Sequence, residues 1–135
     1  MTREERPILV VDDELMIQRS LCRLIGQLGG RPICLGGTQE ALSAIPTLSR
    51  PAVALIDQDL GDGKGEAVAL ALRARWPDIE IVMMSGRLPT RETRALLEQG
   101  TVASFLPKPW ERDELAALLG GALQATVTGP ITPLP

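Results

Sequence analysis

Ile8-Leu9-Val10-Val11-Asp12-Asp13-Glu14 joins four apolar residues to three carboxylates. An unbroken apolar run of this length reads as a strand covered on both faces, with the acids standing just past its C-terminal end. Three other pieces share the arrangement: Ala54-Leu55-Ile56 before Asp57, Val82-Met83-Met84 before Ser85-Gly86, and the weaker Phe105-Leu106-Pro107 before Lys108-Pro109. Parallel strands bring their C-terminal ends to one edge of a sheet. Carboxylates, a hydroxyl and an ammonium would converge there, a set suited to a divalent metal and a phosphoryl group.

Between these pieces the apolar spacing changes. Ile17, Leu21, Leu24, Ile25 and Leu28 recur in steps of three and four, which predicts a helix over 14–28 closed by Gly29-Gly30. A short strand is predicted over 32–35, and Thr38 is placed as the cap of a helix to about residue 48. A strand over 52–56 precedes a glycine-rich loop through Gly65. A helix over 66–76 is stopped by Pro77, and a strand covers 79–84. Thr90 caps a helix to about Gln99, with Gly100 closing it. A last strand over 102–106 leads to a helix from 111 to about 126, weakened by Gly120-Gly121. Five strands alternating with five helices predict an α/β fold. Its form is a doubly wound, five-stranded parallel sheet of order 2-1-3-4-5, flavodoxin-like, with five flanking helices. Pro32 and Pro107 fall on the two edge strands of that order, where a missing N–H is tolerated.

At 135 residues the chain fits one domain, expected over 1–126, followed by a Gly/Pro-rich tail or linker stub over 127–135. A net charge of -3 argues against nucleic acid as a partner of this domain. No apolar run approaches the roughly 20 residues of a membrane span. Residues 1–6 are charged and lead directly into a strand, unlike a signal peptide, so a cytoplasmic location is expected. In that setting Cys22 and Cys34 are expected to be reduced, buried thiols. The chain has no histidine, which excludes a Ser-His-Asp or Cys-His pair and any imidazole metal site. A phosphohistidine in this chemistry must therefore sit on another molecule.

In the expected order the first and third strands are neighbours, about 5 Å apart. Asp12, Asp13 and Asp57 would then crowd at a cost of a few kcal/mol per pair, which a hard divalent cation relieves. Magnesium (or manganese) suits an open carboxylate site that leaves room for water. Lys108 can reach Asp57 and later pair with a phosphoryl oxygen as a point charge. Ser85 offers a hydroxyl donor to the same oxygen, and Gly86 leaves room beside it.

Over about residues 7–125 these pieces resemble the receiver domain of two-component response regulators, the chemotaxis-regulator-like fold. The resemblance implies that Asp12, Asp13 and Asp57 hold magnesium, with Asp59 lending its backbone carbonyl. It implies that Asp57 takes a phosphoryl group from a histidine kinase or a histidine phosphotransfer protein. Leu60 and Gly65 stand at the family's spacing from the acceptor, Ser85 and Phe105 at its two switch positions, and Lys108 before a cis-proline, Pro109. The resemblance further implies a switching face made by the fourth helix, fifth strand and fifth helix, through which many members dimerise, and a signalling role rather than that of an enzyme. Gly61 departs from the family's frequent proline and Phe105 from its frequent tyrosine. Trp110 replaces a smaller residue and is expected to pack at the edge of the core. Two readings of Asp59 and Arg87 stay open, a pair across the mouth of the site that restricts attacking water and, favoured because exposed pairs are worth little, two solvated charges.

Three other readings compete. Asp57-Gln58-Asp59 has the Asp-x-Asp spacing of haloacid-dehalogenase-like phosphatases, but Gly61 stands where that family has threonine or valine, and there is no room for a cap domain. Gly61-Asp62-Gly63-Lys64-Gly65 could suggest a nucleotide loop, but its spacing fits neither the phosphate loop nor the dinucleotide fingerprint. A non-phosphorylated pseudo-receiver acting as a docking module would not need the intact acceptor, hydroxyl and lysine.

Overall fold

The computed structural model describes residues 7–126. The tail read over 127–135 and the charged residues 1–6 lie outside the described residues. Five strands, β1 (Ile8–Val11), β2 (Pro32–Leu35), β3 (Val53–Asp57), β6 (Glu80–Ser85) and β7 (Ser104–Pro107), form one parallel sheet of order β2-β1-β3-β6-β7. This is the expected order 2-1-3-4-5. The other two strands, β4 (Asp59–Leu60) and β5 (Gly63–Lys64), form a small antiparallel hairpin after β3.

The apolar runs are continuous because helices cover both faces, and the strand period of two divides each run between them. Leu9, Val11, Ala54, Ile56, Ile81 and Met83 face one layer, made by α2 (Thr38–Ala44), α3 (Gly65–Arg75) and α4 (Arg91–Glu98). Ile8, Val10, Val53, Leu55, Val82 and Met84 face α1 (Leu15–Gln27) and α5 (Arg112–Thr126) through Leu21, Leu24, Ile25, Leu115 and Leu119. Alignment of the strands carries the chemistry to one edge: Val11 pairs with Ile56, Asp57 with Met84, and Ser85 with Pro107. Both prolines lie on edge strands. No helix among the described residues is long and apolar enough to cross a membrane.

Several local expectations are corrected. Thr38 is the first residue of α2 rather than its cap, and the preceding Gly37 has no side chain to offer. Asp62, at the tip of the β4–β5 hairpin, does the capping from a distance. Its carboxylate accepts the backbone N–H groups of Thr38 and Gln39 at 2.8 and 3.0 Å. The helix also ends early, at Ala44, because Pro46 cannot continue its hydrogen bonding; a 3-10 turn spans Ile45–Thr47. The last helix has the expected extent: α5 runs through Gly120-Gly121 to Thr126. Cys22 and Cys34 are not separate thiols. Where α1 packs across the edge strand β2, the two sulfurs meet in a disulfide with Cα atoms 7.2 Å apart.

Gly65 is fixed by close approach. A Cβ built there would lie 2.1 Å from the backbone oxygen of Asp57, an atom that cannot move without disturbing β3. Gly65→Ala is therefore expected to destabilise the fold by about 1–3 kcal/mol, read as a lowered midpoint of urea unfolding. Asp62 is held below the usual carboxylate range by the N–H of Gln39 and then that of Thr38, both of which favour its charged form. Its contribution is thus present above the unfolded carboxylate pKa and is lost as pH falls through the lower folded value. Asp62→Ala should melt below the parent at neutral pH, and the two melting curves should converge in strong acid.

Candidate functional site

The site starts from the ends of β1 and β3. Asp12 is fully buried there; its Oδ1 accepts the Glu14 N–H at 2.8 Å and its Oδ2 accepts Lys108 Nζ at 2.8 Å. Asp13, the next residue, points outward and accepts the Gly61 N–H at 2.9 Å, tying β1 to the hairpin loop. Asp57 is 3% exposed. One of its oxygens accepts the Asp59 N–H at 3.0 Å and the other accepts Lys108 Nζ at 3.2 Å. Asp12, Asp13 and Asp57 each present an oxygen within 4.8 Å of the others. Three hard oxygen donors this close, open on the Asp13 side, form a donor set that fits a small divalent cation.

Lys108 arrives from the far side of the sheet. Its backbone N–H donates to Ser85 O at 2.7 Å, and the Lys108–Pro109 peptide bond is cis. The ammonium lies between Asp12 and Asp57, with Glu14 at 3.5 Å. Burial alone pushes the Lys108 pKa down, but the hydrogen bond to Asp12 and the charges of Asp57 and Asp12 outweigh it, so the net shift is upward and the amine stays charged. Asp57 shifts upward chiefly through burial. The Asp59 N–H and Lys108 oppose that shift, and the Asp12 charge adds to it.

Ser85 is buried at the end of β6, and its hydroxyl is engaged by Asp59 and Arg87. It donates to Asp59 Oδ2 at 2.7 Å and accepts the Arg87 N–H at 3.0 Å. The other Asp59 oxygen receives Arg87 at 3.1 Å, so the two charges form a pair rather than standing separately solvated, the reading the sequence favoured. The carboxylate of Asp59 is therefore engaged with Ser85 and Arg87, apart from the three-carboxylate cluster. Phe105, paired with Met83 across the sheet, is partly buried against the α2–α3–α4 layer. Trp110 packs at the border of the opposite core and, with Glu14, Ile17, Ser20, Gly86 and Lys108, lines an open cleft of about 580 Å³ beside the site.

The loop 61–65 makes no phosphate cradle. Asp62 is committed to α2, and Lys64 is paired with Glu92 at 2.6 Å. Two residues that sequence reading passed over are built into the surroundings. Gln58 is buried immediately after Asp57, and Glu66 is a buried carboxylate in the first turn of α3. The only signal for either was a polar residue placed where its neighbours are core-forming. Nothing local shows that the partners are Ser85, Leu88, Thr90 and Thr93, some 24 to 32 residues away.

Residues 8–120 match the family model of the response regulator receiver domain. The photosynthetic apparatus regulatory protein RegA of Rhodovulum sulfidophilum is 30% identical over 131 residues, covering 97% of this chain and 70% of that protein. The hydrogenase transcriptional regulatory protein HoxA of Bradyrhizobium diazoefficiens is 28% identical, covering 87% of this chain but only 24% of its own length. Among solved structures, a CheY-like response regulator receiver domain protein from Methanospirillum hungatei superposes with a TM-score of 0.80 at 21% identity, covering 90% of this chain and 95% of that one, a likeness of fold. The acidic pocket of Asp12, Asp13 and Asp57 fits the phosphoacceptor site of such a domain. A family match across most of the chain, on the fold that brings that pocket together, places the protein among the response regulator receiver domains of two-component signalling.

Proposed function

We propose that Asp57 is the phosphoacceptor and that the domain is a signalling switch rather than an enzyme with a turnover substrate. The observation that carries this is the position of Lys108 Nζ, 3.2 Å from Asp57 and 2.8 Å from Asp12, at the edge of a three-carboxylate cluster. A charged amine there stands ready for a phosphoryl oxygen once one is attached to Asp57. The donor is a phosphohistidine on a histidine kinase or a histidine phosphotransfer protein, since this chain has no histidine of its own. Work alongside such a partner supports a cytoplasmic location for the domain.

Asp57 attacks phosphorus in line through a carboxylate oxygen. The bond from phosphorus to the donor nitrogen breaks, and its electron pair leaves with the imidazole. Asp12, Asp13 and Asp57, with the backbone carbonyl of Asp59, would hold magnesium or manganese. When bound, that ion supplies positive charge to the phosphoryl oxygens. Lys108 moves its hydrogen bond from the Asp57 carboxylate to a phosphoryl oxygen. Ser85 exchanges Asp59 for a phosphoryl oxygen, and Phe105 turns into the space that Ser85 leaves. The face of α4, β7 and α5 then changes shape, a charge event biasing a two-state element. That face is also where a second copy would dimerise.

Two experiments follow. With magnesium and acetyl phosphate, intact-mass measurement should show the parent gaining one phosphoryl group, while Asp57→Asn and the chelated parent gain none. Full labelling of Asp57→Asn would remove the assignment. Arg87, 73% exposed, pairs with Asp59 at the mouth and restricts the approach of water. An exposed pair of this kind is worth at most about 1 kcal/mol, so Arg87→Ala should shorten the phosphoryl lifetime by about two- to fivefold. An unchanged decay in single-turnover measurements would dismiss that role.

A further inference from the structure

Gln58 and Glu66 lie outside the acceptor chemistry, yet both are more than nine-tenths buried and both have their polar atoms engaged with the segment that follows Ser85. Gln58 is 2% exposed. Its backbone N–H donates to Met84 O at 2.7 Å, and its side chain spans the loop beyond: Nε2 donates to Leu88 O at 3.2 Å and reaches Ser85 Oγ at 3.4 Å, while Oε1 accepts the Thr90 N–H at 2.9 Å. Glu66 is 4% exposed. A single oxygen, Oε2, accepts the hydroxyls of Thr90 at 2.5 Å and Thr93 at 2.9 Å. Thr90 in turn caps α4 by accepting the Thr93 N–H at 3.0 Å. The two residues therefore grip the same point, Gln58 by the Thr90 backbone and Glu66 by its hydroxyl. Gln58 follows Asp57 directly, and Glu66 follows Gly65, which abuts the Asp57 carbonyl.

We infer that Gln58 and Glu66 are positioning residues that clamp Ser85–Thr90 and the first turn of α4 to the acceptor strand in the resting arrangement. This rests on Asp57 being the phosphoacceptor. In this arrangement the Ser85 hydroxyl is given to Asp59, so bonds that hold the segment here oppose its transfer to a phosphoryl oxygen. Interactions made in one of two states set the balance between them. The clamp thereby sets how much phosphorylation must supply before α4 responds.

The test uses the full chain with Gln58→Met, which keeps length and burial but removes the amide. Glu66→Gln, which keeps one acceptor oxygen, guards against a folding defect, and Thr90→Ser, which keeps the hydroxyl, serves as the conservative control. Hydrogen exchange is read first on the free proteins. Amides over 88–93 should exchange about five- to tenfold faster in Gln58→Met, less so in Glu66→Gln, and as in the parent for Thr90→Ser, while β1 and β3 amides stay protected. Magnesium with beryllium fluoride, a mimic of an aspartyl phosphate, should then bind Gln58→Met about five- to tenfold more tightly than the parent. Unchanged exchange over 88–93 in both variants overturns the clamp. Faster exchange with unchanged beryllium fluoride affinity reduces it to ordinary packing and overturns the positioning role. A parent that takes up no beryllium fluoride counts against Asp57 as acceptor, a failure told apart because exchange is measured without the mimic.

Discussion

Three carboxylates held within one ion's reach are the constraint around which this domain is arranged. Like charges a few ångströms apart repel by a few kcal/mol at intermediate dielectric, and two of the three, Asp12 and Asp57, are withdrawn from water as well. Lys108 answers part of that charge. Three carboxylates less one ammonium leave two negative charges, a surplus suited to a divalent cation. The sheet order makes the crowding unavoidable, because β1 and β3 are hydrogen-bonded neighbours and end level with each other. Lys108 is delivered from the opposite edge, 51 residues after Asp57, and its backbone N–H is anchored on Ser85 O.

The neighbouring loops hold this arrangement by short-range contacts. Gly65 lets α3 begin directly against the Asp57 carbonyl, and the β4–β5 hairpin that precedes it sends the Gly61 N–H to Asp13, the Asp62 carboxylate to the start of α2 and Lys64 to Glu92. The competing nucleotide reading fails here for a physical reason. A phosphate loop needs its amides and lysine free to meet an anion, whereas this lysine is already paired with Glu92 and the loop's carboxylate is spent on α2. The phosphatase reading is likewise unsupported, since the second Asp of its Asp-x-Asp pair is engaged with Ser85 and Arg87.

Legibility followed the length and regularity of the signal. The central strands were plain because a run buried on both faces is apolar without interruption, and the acids, serine and lysine at their ends stood out against it. Thr90 as a cap was readable because the capping bond is local, from Thr90 to the N–H of Thr93. Thr38 met the same rule and was misplaced, since a carboxylate from another loop reaches those N–H groups first. The reduced state expected for Cys22 and Cys34 came from compartment reasoning, which says nothing of where α1 lies on β2.

Taken alone, the order of residues determined that this chain alternates buried strands with amphipathic helices and that its reactive groups sit at strand ends, because hydrophobic period and the chemistry of caps and turns are local properties. Which groups face one another was decided only in three dimensions. Lys108 between Asp12 and Asp57, Ser85 on Asp59, and Gln58 with Glu66 on Thr90 all join residues tens of positions apart. Spacing along a strand assigns a side chain to a face, but its partner depends on strand order, helix placement and loop path, which form together when the core closes.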